Sequence, residues 1–417
     1  MKASTIAPVL PADEPLIVDA LYARKGDDRV HPPKPFFLTH FLLFVVGWLW
    51  RLAVGSVLCF NYFSSILVAG WTYRFMQGVA LRGWWKQRRS EADQSFQDFL
   101  ESLGPNGPVA RPRWLFREHI RQVLYPRHGP RKLSQVLQLP WHSLWLNFGV
   151  GFRAILCTYL LTGWGCLMMT ASWEFGWVNS FNQGYEQALV GPLVGIAGIL
   201  LFSLAMIYVP MAQVHQAVTG QARAFFDFRF VFKLIQARLM AYAFLAALTM
   251  LVALPQEILK FLPMYFYQMQ VFPEGASDAE HLAFLQKYLI VCGLVLFLSL
   301  ILLKGLAAVI YRSAVMKVLR RGRVKREELH PVLTNWFNRL DCWPEPDAAP
   351  STLGTIARFT ARWPYRFALY GLLTLIWIVF TAQAYVGQFV NYHPYWGFMN
   401  RPLVQFPSVD YVPQHLH

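Results

Sequence analysis

Three basic side chains fall inside long apolar runs: Arg51, Arg153 and Lys304, with His40 ahead of the first. A charge at bilayer depth is expensive, and by default it contacts a substrate or an ion. These three form the candidate intramembrane polar site. The plainer reading is that their long stems carry the charge to an interface. Arg153 lies about eight residues into its run and Lys304 about seven from the end of its own, within reach at about 1.5 Å rise per residue. No Asp or Glu lies deep in an apolar run. A proton-relay carboxylate is therefore not visible, which weakens a proton-coupled transporter.

Enzyme chemistry is harder to place. The sequence holds no HExxH, no GxxxxGK[ST] and no GxSxG, the spacings that present a zinc pair, a phosphate cradle and a nucleophile elbow. Gly149-Val150-Gly151 lacks the third glycine and the preceding strand of a dinucleotide loop. Histidines are scattered; His119 and His128 are nine apart and off a common helix face. His215 falls at the end of an apolar run and reads as an interfacial side chain. The cysteines, Cys59, Cys157, Cys166, Cys292 and Cys342, are odd in number and form no CxxC pair. The expectation is a protein that is not an enzyme, with no cofactor and no metal.

Basic surface residues offer a different chemistry. Arg113, Arg117 and Arg121 recur at i, i+4, i+8 and would line one helix face. Arg320, Arg321 and Arg323, with Lys325 and Arg326, make a second cluster. Both are candidate contacts for anionic lipid headgroups or for an acidic partner. The plain reading is a solvated face.

These residues sit in a chain of 417 residues that is 55% hydrophobic and 15% charged, with mean hydropathy +0.33. Soluble proteins carry roughly a quarter charged residues, so the chain reads as a polytopic transmembrane helical bundle, all-α. Five spans are clear, near 145–171, 189–210, 239–260, 287–311 and 365–388. Residues 36–82 are too long for one span and read as a hairpin, 36–58 and 63–82, broken near Asn61–Ser65. That makes about seven crossings. One long tilted helix or a re-entrant pair are the alternatives. The first apolar run starts only at Phe36, too late for a cleaved leader.

Charge sets the orientation. Residues 74–140, 210–238 and 312–366 hold 27 Lys and Arg against three in the intervening connections 173–188, 255–287 and 389–417. This is the positive-inside pattern of a bacterial cytoplasmic (inner) membrane protein with an external C-terminus. It also accounts for the net charge of +15 without a nucleic-acid partner. The domain reading is a polar tail (1–35), the hairpin (36–82), a basic helical cytoplasmic insert (83–140), a four-span core (141–315), a basic loop and linker (316–364), a last span (365–388) and an external aromatic tail (389–417). The insert's first helix would start at cap Ser90 and run through Phe96, Phe99 and Leu100.

Within the core, Arg229, Lys233 and Gln236 recur as a narrow polar stripe, which predicts an interfacial amphipathic helix over 219–238 with Thr219 as its N-cap. Gly191, Gly195 and Gly198 give one helix a small-residue face for close packing. Pro192 sits in a first turn, while Pro210 and Pro255 read as span boundaries. The Pro- and acid-rich stretch from Pro344 to Pro350 reads as a linker, which makes the last span an appendage.

Two strings carry a family resemblance. Gly70-Trp71-Thr72-Tyr73-Arg74 leading to Arg82-Gly83, and Ala217-Val218-Thr219-Gly220 leading to Ala224-Phe225-Phe226-Asp227-Phe228, resemble the corresponding motifs of bacterial and archaeal multi-pass membrane proteins grouped as domain of unknown function 4013. The resemblance spans about residues 36–320 and implies an integral helical membrane protein. It implies no reaction and no catalytic residue.

The functional expectation is a non-catalytic scaffold or accessory subunit of a larger membrane assembly, with membrane lipids and membrane proteins as partners. The alternative is a transporter or lipid-handling protein for an anionic substrate.

Overall fold

The computed structural model describes residues 37–59, 62–88, 96, 99, 133–172, 190–262, 266, 271, 277–347 and 352–390. Arg113, Arg117, Arg121, the Ser90 cap and the two tails lie outside them. The described chain is helical: α1 Phe37–Leu58, α2 Tyr62–Trp85, α3 Leu133–Ala171, α4 Val190–Thr219, α5 Phe228–Ala237, α6 Leu239–Phe261, α7 Asp278–Arg320, α8 Pro331–Leu340 and α9 Thr352–Val390.

Among the described residues five stretches are long and apolar enough to cross a bilayer: Leu144–Ala171, Gly191–Thr219, Leu239–Leu259, Asp278–Arg320 and Trp363–Tyr385. They match the five clear runs of the sequence. Their outward faces are apolar, as in Leu193, Ile196, Leu200 and Leu204 along α4, or Phe244, Leu251 and Ile258 along α6. A continuous apolar surface of this kind is foreign to a soluble monomer and is compatible with a multi-pass integral membrane protein.

The expected hairpin is two helices. Cys59 N–H closes α1 on the Gly55 carbonyl at 3.1 Å, and Ser64 Oγ donates to the Leu58 carbonyl at 2.7 Å. Ser64 and Ser65 thus lie in the first turn of α2 rather than in the break. α1 contributes a shorter apolar stretch, Val45–Leu58, and α2 is not among the five long apolar helices. The reason is visible in its packing. α2 is the central helix, enclosed by α3, α4 and α7, and it buries Ser65, Thr72, Arg74 and Gln77. Arg74 donates to Asn147 Oδ1 at 3.0 Å, and Gln77 to the Val218 carbonyl at 3.2 Å.

Glycines set how closely these helices approach. A Cβ on Gly70 would fall 1.8 Å from the Asn147 carbonyl oxygen, and one on Gly151 1.9 Å from that of Ile66. α2 and α3 therefore cross backbone against backbone. Gly165 and Gly198 play the same part between α3 and α4, each within 3.0 Å of the other's carbonyl once given a Cβ.

Four expectations are corrected. α4 runs unbroken through Pro210 to Thr219, so Pro210 is interior to the helix rather than at its end; Pro255, by contrast, does lie near the end of its helix, α6. Thr219 is not an N-cap: its hydroxyl donates back to the His215 carbonyl at 2.8 Å, and Gly220 follows at φ 72°. The chain then reverses through a 3-10 turn, Ala222–Phe226, and Asp227 caps α5 by accepting from Phe230 N–H at 3.1 Å. His215 is not interfacial but fully buried, because α4 continues past it and α5 folds over it with Phe230 on its ring at 4.8 Å. Finally, α9 is no appendage. It packs on α6 and α4, with Ser203 Oγ 3.0 Å from Thr381 Oγ1 and Ser172 Oγ 2.7 Å from the Tyr385 hydroxyl.

The 316–364 stretch is also more than a loop. α7 ends with Gly322 at φ 62°, and Arg323 N–H reaches the Val318 carbonyl at 3.1 Å, the hydrogen-bond pattern of a glycine-terminated helix. α8 then buries Leu333, Trp336, Phe337 and Leu340. Trp84 at the end of α2 meets this layer, with ring centroids 5.1 Å from Phe337 and 6.3 Å from Trp336.

Candidate functional site

α4, α6, α7 and α9 enclose a cleft of about 110 Å³. Most of its wall is apolar, including Phe202, Met206, Leu245, Leu296, Trp377 and Phe380. Into it come a few polar groups: Gln213, Thr249, Gln256, Ser299 and Lys304. Thr249, Gln256, Leu300, Leu303 and Lys304 are only half-buried, so the cleft is open along one side. A cavity of about 150 Å³ takes up benzene; this one has room for a short stretch of hydrocarbon or a small polar head.

Lys304 is the only one of the three charged candidates that enters the cleft. Its ammonium does not run to an interface. It turns inward and donates to Gln213 Oε1 on α4. Gln213 Nε2 passes the polarity on to Thr158 Oγ1 at 3.1 Å, and Thr158 donates to the Ala154 carbonyl at 2.9 Å. The chain of bonds joins α7, α4 and α3. Among the described residues no carboxylate pairs with Lys304. Pro210 on the same wall has no N–H to give, so the Met206 carbonyl lacks its helical donor.

The other two candidates stay apart. Arg153 is exposed and its Nε donates to the Gly149 carbonyl, 3.1 Å away on its own helix. Arg51 lies over the Trp48 ring of α1 at 5.0 Å. Of the basic cluster, Arg320 and Arg321 line a second, larger cavity described below, Arg323 is half-buried, and Arg326 lies over the Trp343 ring at 4.6 Å.

A second polar knot lies at the end of α4. His215 Nδ1 is 2.7 Å from the Tyr311 hydroxyl, and its ring stands edge-on to His330 at 6.0 Å. His330 caps α8: Nδ1 accepts from Val332 N–H at 3.3 Å, while Nε2 faces Gln221 Oε1 at 3.2 Å. Both bonds require the neutral tautomer with its proton on Nε2. Burial accordingly pushes the His330 pKa below its ordinary 6.5, against the opposing pull of nearby Asp227. Among the described residues no group of three or more His, Cys, Asp or Glu could hold a metal ion. The five cysteines are buried and none is joined to another in a disulfide.

Gln213, Asn147 and Gln77 carry no formal charge and so do not stand out among apolar neighbours. Their signal in the sequence is an amide within or beside an apolar run, where each must find a partner. Glu257 is buried near the end of α6.

No protein-family model, curated protein or solved structure matches the chain, so the resemblance to domain of unknown function 4013 rests on the two motifs alone.

Proposed function

We propose that the protein is a non-catalytic lipid-handling membrane protein that admits an anionic amphiphile from the bilayer to the side of the α4–α6–α7–α9 cleft. The negative group would sit on Lys304 and part of the acyl chain against Leu245, Leu296 and Phe380. One observation carries this reading: an ammonium in an apolar cleft held by a single neutral amide, Gln213. A buried cation without a counter-charge costs several kcal/mol, roughly, and an anionic ligand supplies the missing charge.

In this reading α1 and α2 complete seven crossings. The basic connections face the cytoplasm of a bacterial cell by the positive-inside bias, and the C-terminus is external. The scaffold reading draws on the aromatic C-terminal tail, which lies outside the described residues. The cleft therefore favours lipid handling.

The test is lipid retention. Full-length protein is reconstituted in mixed phosphatidylglycerol–phosphatidylcholine nanodiscs, re-extracted in neutral detergent and examined by native mass spectrometry. Wild type should keep phosphatidylglycerol, and Lys304→Met should lose it while keeping its helical content. Equal retention by both leaves the cleft without a role.

A further inference from the structure

At the C-terminal end of α7 a cavity of about 790 Å³ opens between the end of α2, the α5–α6 junction, α7 and the segment after α8. Among the described residues Arg238, Arg312, Lys317, Arg320 and Arg321 line it, against two carboxylates, Glu345 and Asp347. Cations in the last turn of a helix are ordinary, since they answer the helix dipole. That accounts for Lys317, Arg320 and Arg321. It does not account for Arg238, which enters from the junction of α5 and α6, or for Arg312, two turns earlier on α7.

Arg312 is also seated. Its guanidinium lies across α2 at Gly83, where a Cβ would fall 1.7 Å from a guanidinium nitrogen. The absent side chain of Gly83 is the notch that lets the charge pass. The far wall is tied down as well. Asp347 N–H bonds the Arg320 carbonyl at 2.7 Å, Trp343 Nε1 donates to Asn338 Oδ1 at 2.8 Å, and the Trp343 ring lies tilted against Phe337 at 5.1 Å. Cations thus converge from separate elements on a fixed, water-accessible space.

We infer that this vestibule is a binding site for a phosphate group bearing two or more negative charges. Guanidinium forks match phosphate oxygens two at a time, and a surplus of three cations over carboxylates among the described lining residues fits a phosphomonoester or diphosphate better than a single carboxylate. The volume exceeds that of the bare ion, so the phosphate belongs to a larger molecule: a lipid headgroup reaching in from the bilayer edge, or a soluble phosphorylated compound. The inference stands independently of the Lys304 cleft.

Two probes separate these sources. Inorganic pyrophosphate is titrated calorimetrically into full-length protein in neutral detergent. In parallel, lipid retained from phosphatidylcholine vesicles containing phosphatidic acid is measured. Binding in the first arm assigns the site to soluble phosphates, and retention in the second alone assigns it to a headgroup. In whichever arm binds, Arg312→Gln should weaken binding by about tenfold, the loss of one charge-assisted contact. Gly83→Ala should weaken it several-fold with every charge intact, because the three atoms nearest to the added methyl all belong to the Arg312 side chain. The exposed Arg229→Gln on α5, outside the cavity, should change nothing. Arg320→Gln, at an exposed position, carries the test if Arg312→Gln does not fold. Failure of both probes to bind wild type overturns the inference. So does wild-type binding by Arg312→Gln and Arg320→Gln together.

Discussion

The Tyr311 hydroxyl on α7 lies 2.7 Å from Nδ1 of His215 on α4, and this bond joins two long helices where the chain has just reversed through Gly220. His215 Nε2 has no hydrogen-bond partner among the described residues. Tyr311→Phe therefore leaves a fully buried imidazole with no partner on either nitrogen. The expected cost is about 1–3 kcal/mol, read as a lower melting temperature in detergent. An unchanged melting temperature would mean that water already serves the ring.

His330 gives the fold a defined acid sensitivity. Its folded pKa lies below the ordinary 6.5, so the unfolded chain binds the extra proton first. The His330 contribution is complete above about 6.5 and is lost as pH falls through that value toward the lower folded pKa. Protonation would place a proton on Nδ1, facing the Val332 N–H it now caps. Melting temperature should fall from pH 7 to pH 5 in wild type and fall less in His330→Asn, which can still cap α8. Parallel profiles would remove His330 from the acid response.

The glycines divide into two classes with opposite expectations. Gly70→Ala and Gly151→Ala press a methyl on the facing helix backbone and should destabilise by about 1–3 kcal/mol each. Gly149→Ala and Gly163→Ala meet nothing within 4 Å and should stabilise by up to about 1 kcal/mol through helix propensity. Thermal melts of the four variants read both signs.

Lys304 and Gln213 should behave asymmetrically. Gln213→Leu strands the ammonium and should cost about 2–3 kcal/mol, the worth of a hydrogen bond to a charge. Lys304→Met removes the charge instead, and should be close to neutral in stability. Comparable losses in both would argue that the pair is structural alone.

The five long spans are legible in the sequence because bulky apolar runs of the right length can do little else in water. What escapes is where polarity hides among them. α2 reads from hydropathy only as one limb of an N-terminal hairpin; that it is central follows from Arg74 and Gln77, which find partners on α3 and α4. α4 looks finished at Pro210 because hydropathy falls there. The helix continues because His215 is buried against Phe230 of α5 and Gln216 donates to Cys157 Sγ on α3, rather than either being presented to water. The position of α9 depends on contacts such as Ser203 with Thr381, 178 residues apart, and a Pro-rich linker says nothing about where the next helix docks. Of the charged triad Arg51, Arg153 and Lys304, only Lys304 enters the cleft, since spacing along separate helices does not report their rotation.

Photolabelling reads out what occupies the Lys304 cleft. Palmitic acid carrying a mid-chain diazirine is added to full-length protein in nanodiscs, irradiated, and the adducts mapped by peptide mass spectrometry. Adducts are expected on cleft residues such as Leu245, Ala253 and Leu296, and should be lost in Lys304→Met. Adducts confined to outward residues such as Leu193, Phe244 and Phe367, identical with and without the Lys304 charge, would contradict lipid handling by the cleft.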